Sequence, residues 1–205
     1  MQVSKPLDGS LSSRLILITF SVCILLSCGG ADICDCTPKA SASRDFRHAE
    51  KHIALPSVTP VETTVAQILG WPLGPDPVNT TPRTGRELTL YHIATAYLQS
   101  ARLINFDCDV HLEISDVPNK GAPRVIVETP IDHEYCTNRQ NLQDALSRHR
   151  FRLRFIDQSA VSQAELSKAL PVSVLGLAFR DFEHNRGSKE VGTPWELHPA
   201  EVTVQ

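Results

Sequence analysis

The stretch DVHLEI at residues 109–114 decides how the chain folds, because polar and apolar side chains alternate along it without interruption. Successive side chains of a β-strand point to opposite faces of the sheet. The apolar residues at the even positions therefore share one face, and the polar residues at the odd positions share the other. A strict period of two predicts a strand with one face against an apolar core.

Four further stretches have strand character, and a helical pattern separates the third strand of the series from the fourth. Three strands, a helix and two more strands is the order of a five-stranded OB-type barrel. We therefore predict a mainly β protein, an OB-like five-stranded β-barrel with one or two short helices. A capping pattern at Ser162 also predicts a short helix that ends at Ala169. The other predicted strands are 87–97, 124–128, 172–179 and 195–204, and the predicted helix is 138–149.

The N-terminal stretch predicts export from the cytoplasm. Residues 15–26 are uncharged and mainly apolar, too few to span a bilayer but suited to a signal peptide. The segment closes with Leu25-Leu26-Ser27-Cys28, which resembles a bacterial lipobox. We predict a lipoprotein-type signal peptide over 1–27, lipidation of Cys28 and a place in the bacterial cell envelope. An ordinary cleaved signal and an uncleaved anchor are the alternatives.

The segment after the signal differs in composition from the predicted barrel. As far as about residue 60 it is rich in Ser, Ala, Pro, Lys and Asp, and a Pro- and Thr-rich loop precedes residue 87. Such composition favours a disordered tether. The predicted organisation is a tether with short helices over 28–86, followed by the barrel domain over 87–205.

The cysteines predict disulfides. The chain has six cysteines, of which Cys23 leaves with the signal and Cys28 carries the lipid. Outside the cytoplasm the remaining four are oxidised, and four cysteines allow three connectivities. Cys108 and Cys136 lie in the barrel domain, so we predict that they pair. Cys34 and Cys36 would then pair with each other in the tether or contact another chain.

Charge and composition exclude several classes of function. The chain is 41% hydrophobic and 21% charged with a formal net charge of −3, which excludes a wholly disordered chain and a broadly basic nucleic-acid-binding surface. One local basic stretch carries Arg150, Arg152 and Arg154, which alternate with apolar and aromatic residues. Such interleaving suits single-stranded nucleic acid. Pairing of these arginines with acidic surface groups is the alternative.

The polar face of the 109–114 strand contains candidate metal ligands. If the barrel closes, acidic and imidazole side chains from neighbouring strands converge on one patch. Such donors suit a divalent metal ion, which could activate water for phosphodiester hydrolysis. A polar face that meets water, or a structural polar network, is the alternative. The candidates are Asp107, Asp109, His111, Glu128, Glu196 and His198.

Two strings of sequence point to a family. DCDVHLEI at 107–114 is followed by VETP at 127–130 and YC at 135–136, and VLGLAFRDFEH at 174–184 leads into GTPWELHP at 192–199. Together they resemble a family of uncharacterised bacterial exported proteins that share D-x-D-x-H-L-x-[IL] and W-E-[IL]-H-P strands. The resemblance covers roughly residues 87–205 and implies no established activity; the Cys108–Cys136 pairing is consistent with it.

These observations lead to one leading hypothesis and two alternatives. The leading one is an exported, lipid-anchored OB-like binding module of unknown ligand, without catalysis or cofactor. The first alternative is a metal-dependent, nuclease-like hydrolase that uses Asp109, His111, Glu196 and His198. The second is a structural envelope protein. The expected partners are the membrane, through the lipid, and an unknown ligand or protein, with nucleic acid less supported.

Overall fold

The computed structural model describes residues 1–2, 33–182 and 187–205. The described chain is mainly β, with a closed five-stranded barrel and few helices. The strands are β1 (Val61–Glu62), β2 (Leu90–Leu103), β3 (Val110–Ser115), β4 (Arg124–Thr129), β5 (Glu165–Arg180) and β6 (Val191–Val204). The α-helices are α1 (His48–Lys51), α2 (Val65–Leu69) and α3 (Cys136–Arg148). Short 3-10 helices cover Ala42–Arg44, Gly85–Leu88, His133–Tyr135 and Gln158–Ala164.

The strand order is that of an OB barrel. The sheet runs β2-β3-β4-β6-β5, and β5 closes the barrel by pairing with β2. β4 and β6 are parallel, whereas the other barrel pairs are antiparallel. The helix α3 lies between the third and fourth barrel strands, where an OB fold has its helix. The predicted OB-like five-stranded barrel is therefore confirmed.

The barrel encloses the apolar core. Val110, Leu112 and Ile114 of β3 are each fully buried and belong to one core cluster, together with Leu197 of β6. This is the even-numbered face that the alternation of β3 predicts. Helix α3 adds Leu142 and Leu146 to the same cluster, and Asn138 fixes the helix to the backbone of β6 through hydrogen bonds of 3.0 and 3.1 Å.

The N-terminal boundary of the domain differs from the prediction. The described part of the predicted tether, residues 33–86, packs on the outside of the barrel, and we call it the cover segment. Its Arg47 and Lys51 are 1% and 2% exposed, because both side chains are buried against the barrel. β1 adds to the edge of the sheet beside β2. The prediction of a tether over residues 28–86 is therefore wrong for the part that the structure describes.

The disulfides also differ from the prediction. Cys34 pairs with Cys136 at the start of α3, and Cys36 pairs with Cys108 in the loop before β3. The predicted Cys108–Cys136 pair is wrong, because each of these cysteines bonds to the cover segment instead of to the other. The error follows from the tether prediction, which had removed Cys34 and Cys36 from the domain.

The remaining differences concern the ends of elements. The 3-10 turn Gln158–Ala164 leads directly into β5, so the predicted short helix to Ala169 is wrong. None of the helices in the described part of the chain has the length and apolar character that crossing a membrane requires. The signal peptide and Cys28 lie outside the described residues.

Candidate functional site

The polar face of β3 is buried. Asp109, His111 and Glu113 are at most 1% exposed, although each side chain points away from the apolar core. The cover segment and the loops beside it exclude water from this outer face of the barrel. The prediction that the face meets water is therefore wrong, and the alternatives left for it are a structural polar network and a metal site.

Glu128 of β4 is the centre of this buried face. Its Oε1 lies 2.7 Å from Nδ1 of His111, the residue opposite it on β3. Its Oε2 lies 2.9 Å from Nδ1 of His198 on β6. On the other side of the His198 ring, Nε2 lies 3.3 Å from Oδ2 of Asp109. Three neighbouring strands thus bring two carboxylates and two imidazoles together.

His198 lies between two carboxylates. Its side chain is fully buried, and burial alone would lower the pKa of its imidazole. The negative charges of Asp109 and Glu128 outweigh burial and raise the pKa of His198. The imidazole of His198 is therefore more easily protonated than its burial alone would allow.

Glu113 forms the other end of the polar face. Its Oε2 accepts hydrogen bonds from Arg124 at 3.0 Å and from the Ser188 hydroxyl at 2.6 Å, and its Oε1 accepts one from the Ser188 amide at 2.8 Å. Burial would raise the pKa of this carboxyl, but His111 and the hydrogen bonds from Ser188 lower it to about 2. Glu113 is therefore an ionised structural group at neutral pH.

Buried ion pairs hold the cover segment over the polar face. Arg47 contacts both oxygens of Glu87 at 2.7 and 3.1 Å and donates to the carbonyl of Arg180 at the end of β5. Arg83 donates to the carbonyls of Ala178 and His198. Both guanidinium groups lie over the ring of Phe179, at 4.7 and 5.2 Å from its centre. These contacts bind the segment to β5 and β6.

A cavity of about 170 Å³ opens beside the buried cluster. One wall of the cavity is the loop between β2 and β3, and a second wall is the loop that follows β5. Part of the cover segment forms the third wall. Glu128 and His111 line the cavity and also belong to the buried cluster, so the cavity and the cluster are adjacent. The lining residues are Asp45, Phe46, Lys51, Ile104, Phe106, Asp107, His111, Glu128, Asp181 and Phe182.

The charge of the cavity is mainly negative. Among the described residues that line it, four carry carboxyl groups and one, Lys51, carries an ammonium group, which lies 3.0 Å from Asp45 and 3.7 Å from Asp181. Burial, together with the nearby charges of Asp109 and Glu128, raises the pKa of Asp107 to about 7. The cavity therefore disfavours a further anion and favours a cation.

The structure brings most of the predicted polar site residues together. Asp109, Glu128 and His198 each place one ligand atom within 4.8 Å of the other two, and His111 contacts Glu128. Asp107 lines the cavity and accepts the amide hydrogen bond of Asp109. Glu196 is buried on the same face of β6, but it is not one of the three residues within 4.8 Å.

The basic stretch lies elsewhere. Arg150, Arg152 and Arg154 are exposed in the chain between α3 and β5, and none of them lines the cavity. Arg154 donates one hydrogen bond of 3.4 Å to the carbonyl of Gln163. The structure therefore separates the predicted nucleic-acid stretch from the acidic site.

Sequence reasoning missed the contribution of the cover segment. Asp45, Phe46 and Lys51 line the cavity, yet they lie in a stretch whose composition favours disorder. Phe106 precedes the recognised motif and Phe182 follows the fourth strand, where no pattern marks a binding residue. The one available signal was Cys34 and Cys36, since two cysteines so close in sequence can each anchor the segment to a different part of the domain.

Comparison of the chain with family models, with curated proteins and with solved structures found no match. The resemblance to exported bacterial proteins stays a prediction. The cavity and the buried cluster are the features of the structure that indicate a function.

Proposed function

We propose that the protein is an exported, lipid-anchored OB-like binding module for a small cationic ligand, and that it acts by binding and without catalysis. The observation that carries the proposal is the place of the acidic cavity. OB barrels bind ligands on the face of their second and third strands and at the loops between strands one and two and between strands four and five. The cavity is lined by residues of all these elements: His111, Glu128, Phe106, Asp107 and Asp181.

The charge and size of the cavity indicate the class of ligand. Oligonucleotides, a frequent ligand of OB barrels, carry phosphates that the carboxylates of the cavity repel. Its volume of about 170 Å³ is below the roughly 300–1,000 Å³ of sites for drug-sized molecules. Three phenylalanine rings line it, and aromatic faces attract cations. A small cation, either an ammonium group or a metal ion, fits the negative charge, the small volume and the aromatic lining of the cavity.

The binding experiment uses tetramethylammonium chloride as the organic probe and sodium acetate as an anion of similar size. Calorimetry of the full chain should show saturable binding of the cation and none of acetate. Asp181→Asn and Phe106→Ala should each weaken binding at least several-fold, because they remove a charge or a ring from the wall. Glu134→Gln is the matched control, since Glu134 is exposed and lies outside the cavity. Equal binding of acetate, or unchanged binding by both cavity variants, would exclude the organic cation.

The anchor has its own test. Labelling with radioactive palmitate should mark the chain in a bacterial host and disappear in Cys28→Ser. Cys23→Ser is the control, because Cys23 lies inside the predicted signal peptide. Persistent labelling of Cys28→Ser would overturn the lipid anchor without affecting the ligand proposal.

A metal-dependent hydrolase is the second candidate, and one observation favours it: Asp109, Glu128 and His198 lie within ligand distance of one another. It ranks second because the neighbouring carboxylates disfavour an anionic phosphodiester. The test is turnover of bis(p-nitrophenyl) phosphate with added Mn²⁺. A rate that is the same for the wild-type protein and for Glu128→Gln excludes this activity.

A further inference from the structure

We infer that Asp109, Glu128 and His198 form a binding site for a divalent transition-metal ion, with one ligand atom from each of β6, β4 and the loop before β3. The inference rests on the proposed function, because it identifies the small cation as a metal and places it beside the cavity. The three ligand atoms lie within 4.8 Å of one another. Two atoms that bind one ion at 2.0–2.2 Å can be at most about 4.4 Å apart, so small side-chain movements close the site.

Buried polar atoms without hydrogen bonds support the metal site. Asp109 and His198 are both 0% exposed, yet Oδ2 of Asp109 and both ring nitrogens of His198 lack a hydrogen bond. The carboxylates of Asp109 and Glu128 approach this ring at 3.3 and 2.9 Å and form ion pairs with it. Buried polar atoms are nearly always satisfied in folded proteins. A metal ion bound to Asp109 Oδ2 and to one nitrogen of His198 would satisfy two of these three atoms, and the other ring nitrogen would still face a carboxylate.

The surrounding contacts orient the carboxylates as metal ligands require. Oδ1 of Asp109 accepts a 3.0 Å hydrogen bond from the amide of Ile131, which leaves Oδ2 directed towards His198. Oε1 of Glu128 lies 2.7 Å from Nδ1 of His111, and its Oε2 lies 2.9 Å from Nδ1 of His198. Metal-binding carboxylates are commonly held in this way by hydrogen bonds to the oxygen that faces away from the ion.

The donor set selects the class of ion. One imidazole nitrogen with two carboxylate oxygens suits Zn²⁺, Mn²⁺ or Fe²⁺, whereas Ca²⁺ and Mg²⁺ prefer oxygen ligands alone. Three protein ligands leave at least one coordination position for water or another molecule. Glu128 also lines the cavity, so the ion has a route from the cavity to the cluster.

The competing explanation is a structural triad in which a protonated His198 neutralises the two carboxylates. The two explanations predict different binding, because the triad has no need of a metal. In the experiment the full chain carries Cys23→Ser and Cys28→Ser, so that no thiol outside the two disulfides competes for the ion. The protein is treated with a chelator and then titrated with Zn²⁺, Mn²⁺ and Co²⁺, with Mg²⁺ for comparison.

We expect about one equivalent of Zn²⁺ or Co²⁺ to bind, with Mg²⁺ binding at least ten-fold more weakly. Asp109→Asn and Glu128→Gln should each weaken Zn²⁺ binding at least ten-fold. Glu113→Gln is the matched control, because Glu113 is a buried carboxylate on the same face of β3 but outside the three-residue site. The affinity of this variant for Zn²⁺ should stay within about three-fold of that of the starting protein.

Near-ultraviolet circular dichroism in chelator shows whether each variant is folded. If a ligand variant does not fold, the absorption spectrum of Co²⁺ in the starting protein decides, since nitrogen and oxygen ligands in a protein site change it from that of hydrated Co²⁺. Absence of saturable binding for Zn²⁺, Mn²⁺ and Co²⁺ overturns the metal site, as does unchanged affinity in both folded ligand variants. If tetramethylammonium still binds in that case, the binding-module proposal stands and the metal inference alone fails.

Discussion

Strand β3 borders two buried layers of opposite character. On one side Leu112 and its neighbours pack in the apolar interior of the barrel. On the other side Asp109, His111 and Glu113 lie in a polar layer between the barrel and the cover segment. Both layers exclude water, yet the first needs only complementary volume, whereas the second needs a partner for every charge.

The comparison shows that burial and polarity are separate properties of a strand face. Alternation along β3 identifies its two faces, but it does not reveal what covers the polar one. Here a chain segment with two disulfides covers it, and charged side chains stay buried because ion pairs compensate their charges. Substitutions that change only one of the two layers test this difference.

The largest effect is expected where the cover segment is paired to the barrel. Glu87→Gln removes the partner of Arg47, whose side chain is fully buried, and leaves an uncompensated charge. We expect the free energy of unfolding, measured in urea, to fall by about 3–5 kcal/mol. Leu112→Ala, the reference for the apolar layer, should lower it by about 2–5 kcal/mol through loss of packing.

The control for this comparison is Glu62→Gln. Glu62 pairs with His92 at 2.8 Å, but its side chain is 68% exposed. Exposed pairs contribute below about 1 kcal/mol, so the variant should unfold close to the wild-type concentration of urea. A loss for Glu87→Gln as small as that for Glu62→Gln would show that the polar layer does not depend on its ion pairs.

The next effect comes from the covalent link of the cover segment. Cys36→Ala with Cys108→Ala removes a disulfide whose residues are 72 positions apart. Such a link restricts the unfolded chain, and its loss should lower the free energy of unfolding by about 2–4 kcal/mol. Adding a reductant to the wild-type protein should reproduce the direction of the change; equal stability of the double variant and the oxidised wild type would contradict it.

A smaller and pH-dependent effect is expected at Glu113. Its pKa is lowered from 4.5 in the unfolded chain to about 2 in the folded one. The ionised group therefore stabilises the protein fully above pH 4.5, and this contribution of roughly 3 kcal/mol is lost as the pH falls from 4.5 towards 2. Glu113→Gln should flatten the acid side of a plot of unfolding free energy against pH. An acid side as steep in the variant as in the wild type would assign the effect to other carboxyls.

The smallest effect is expected outside both layers. Arg150, Arg152 and Arg154 are exposed, and among their side chains only that of Arg154 has a hydrogen bond to the described residues, at 3.4 Å. Replacing any one of them with Ala should change the free energy of unfolding by no more than about 0.5 kcal/mol. A loss of several kcal/mol in thermal or urea unfolding would show that the basic stretch is part of the polar layer.

The barrel was predictable because its signal is local. The alternation at 109–114 and the order of strands and helix along the chain carry the OB topology without any long-range information. The apolar face of β3 follows from the same pattern, and so does the shared face of Asp109 and His111. Closure of the barrel then brings Glu128 and His198 beside them, as the strand order predicts.

The cover segment was not predictable in the same way. Arg47 and Lys51 belong to a stretch without regular periodicity. Each is buried because it forms ion pairs with carboxylates, and no local pattern in the sequence marks those partners. The partners are Glu87 for Arg47, and Asp45 and Asp181 for Lys51. The pairing of Cys34 with Cys136 spans 102 residues. Nothing in a local pattern distinguishes such a segment from a disordered one.

If Cys28 carries the proposed lipid, the disulfide of Cys34 limits the distance between the barrel and the membrane. Ile33 is 4% exposed and Cys34 is bonded to Cys136 at the start of α3, so the chain is anchored to the domain from residue 33 onwards. Four residues lie between Cys28 and Ile33, and even a fully extended chain over these five steps spans only about 17 Å. A lipid on Cys28 would therefore hold the domain close to the lipid headgroups. Under the proposed function, a cationic ligand would then be bound close to the bilayer surface, where anionic lipids concentrate cations.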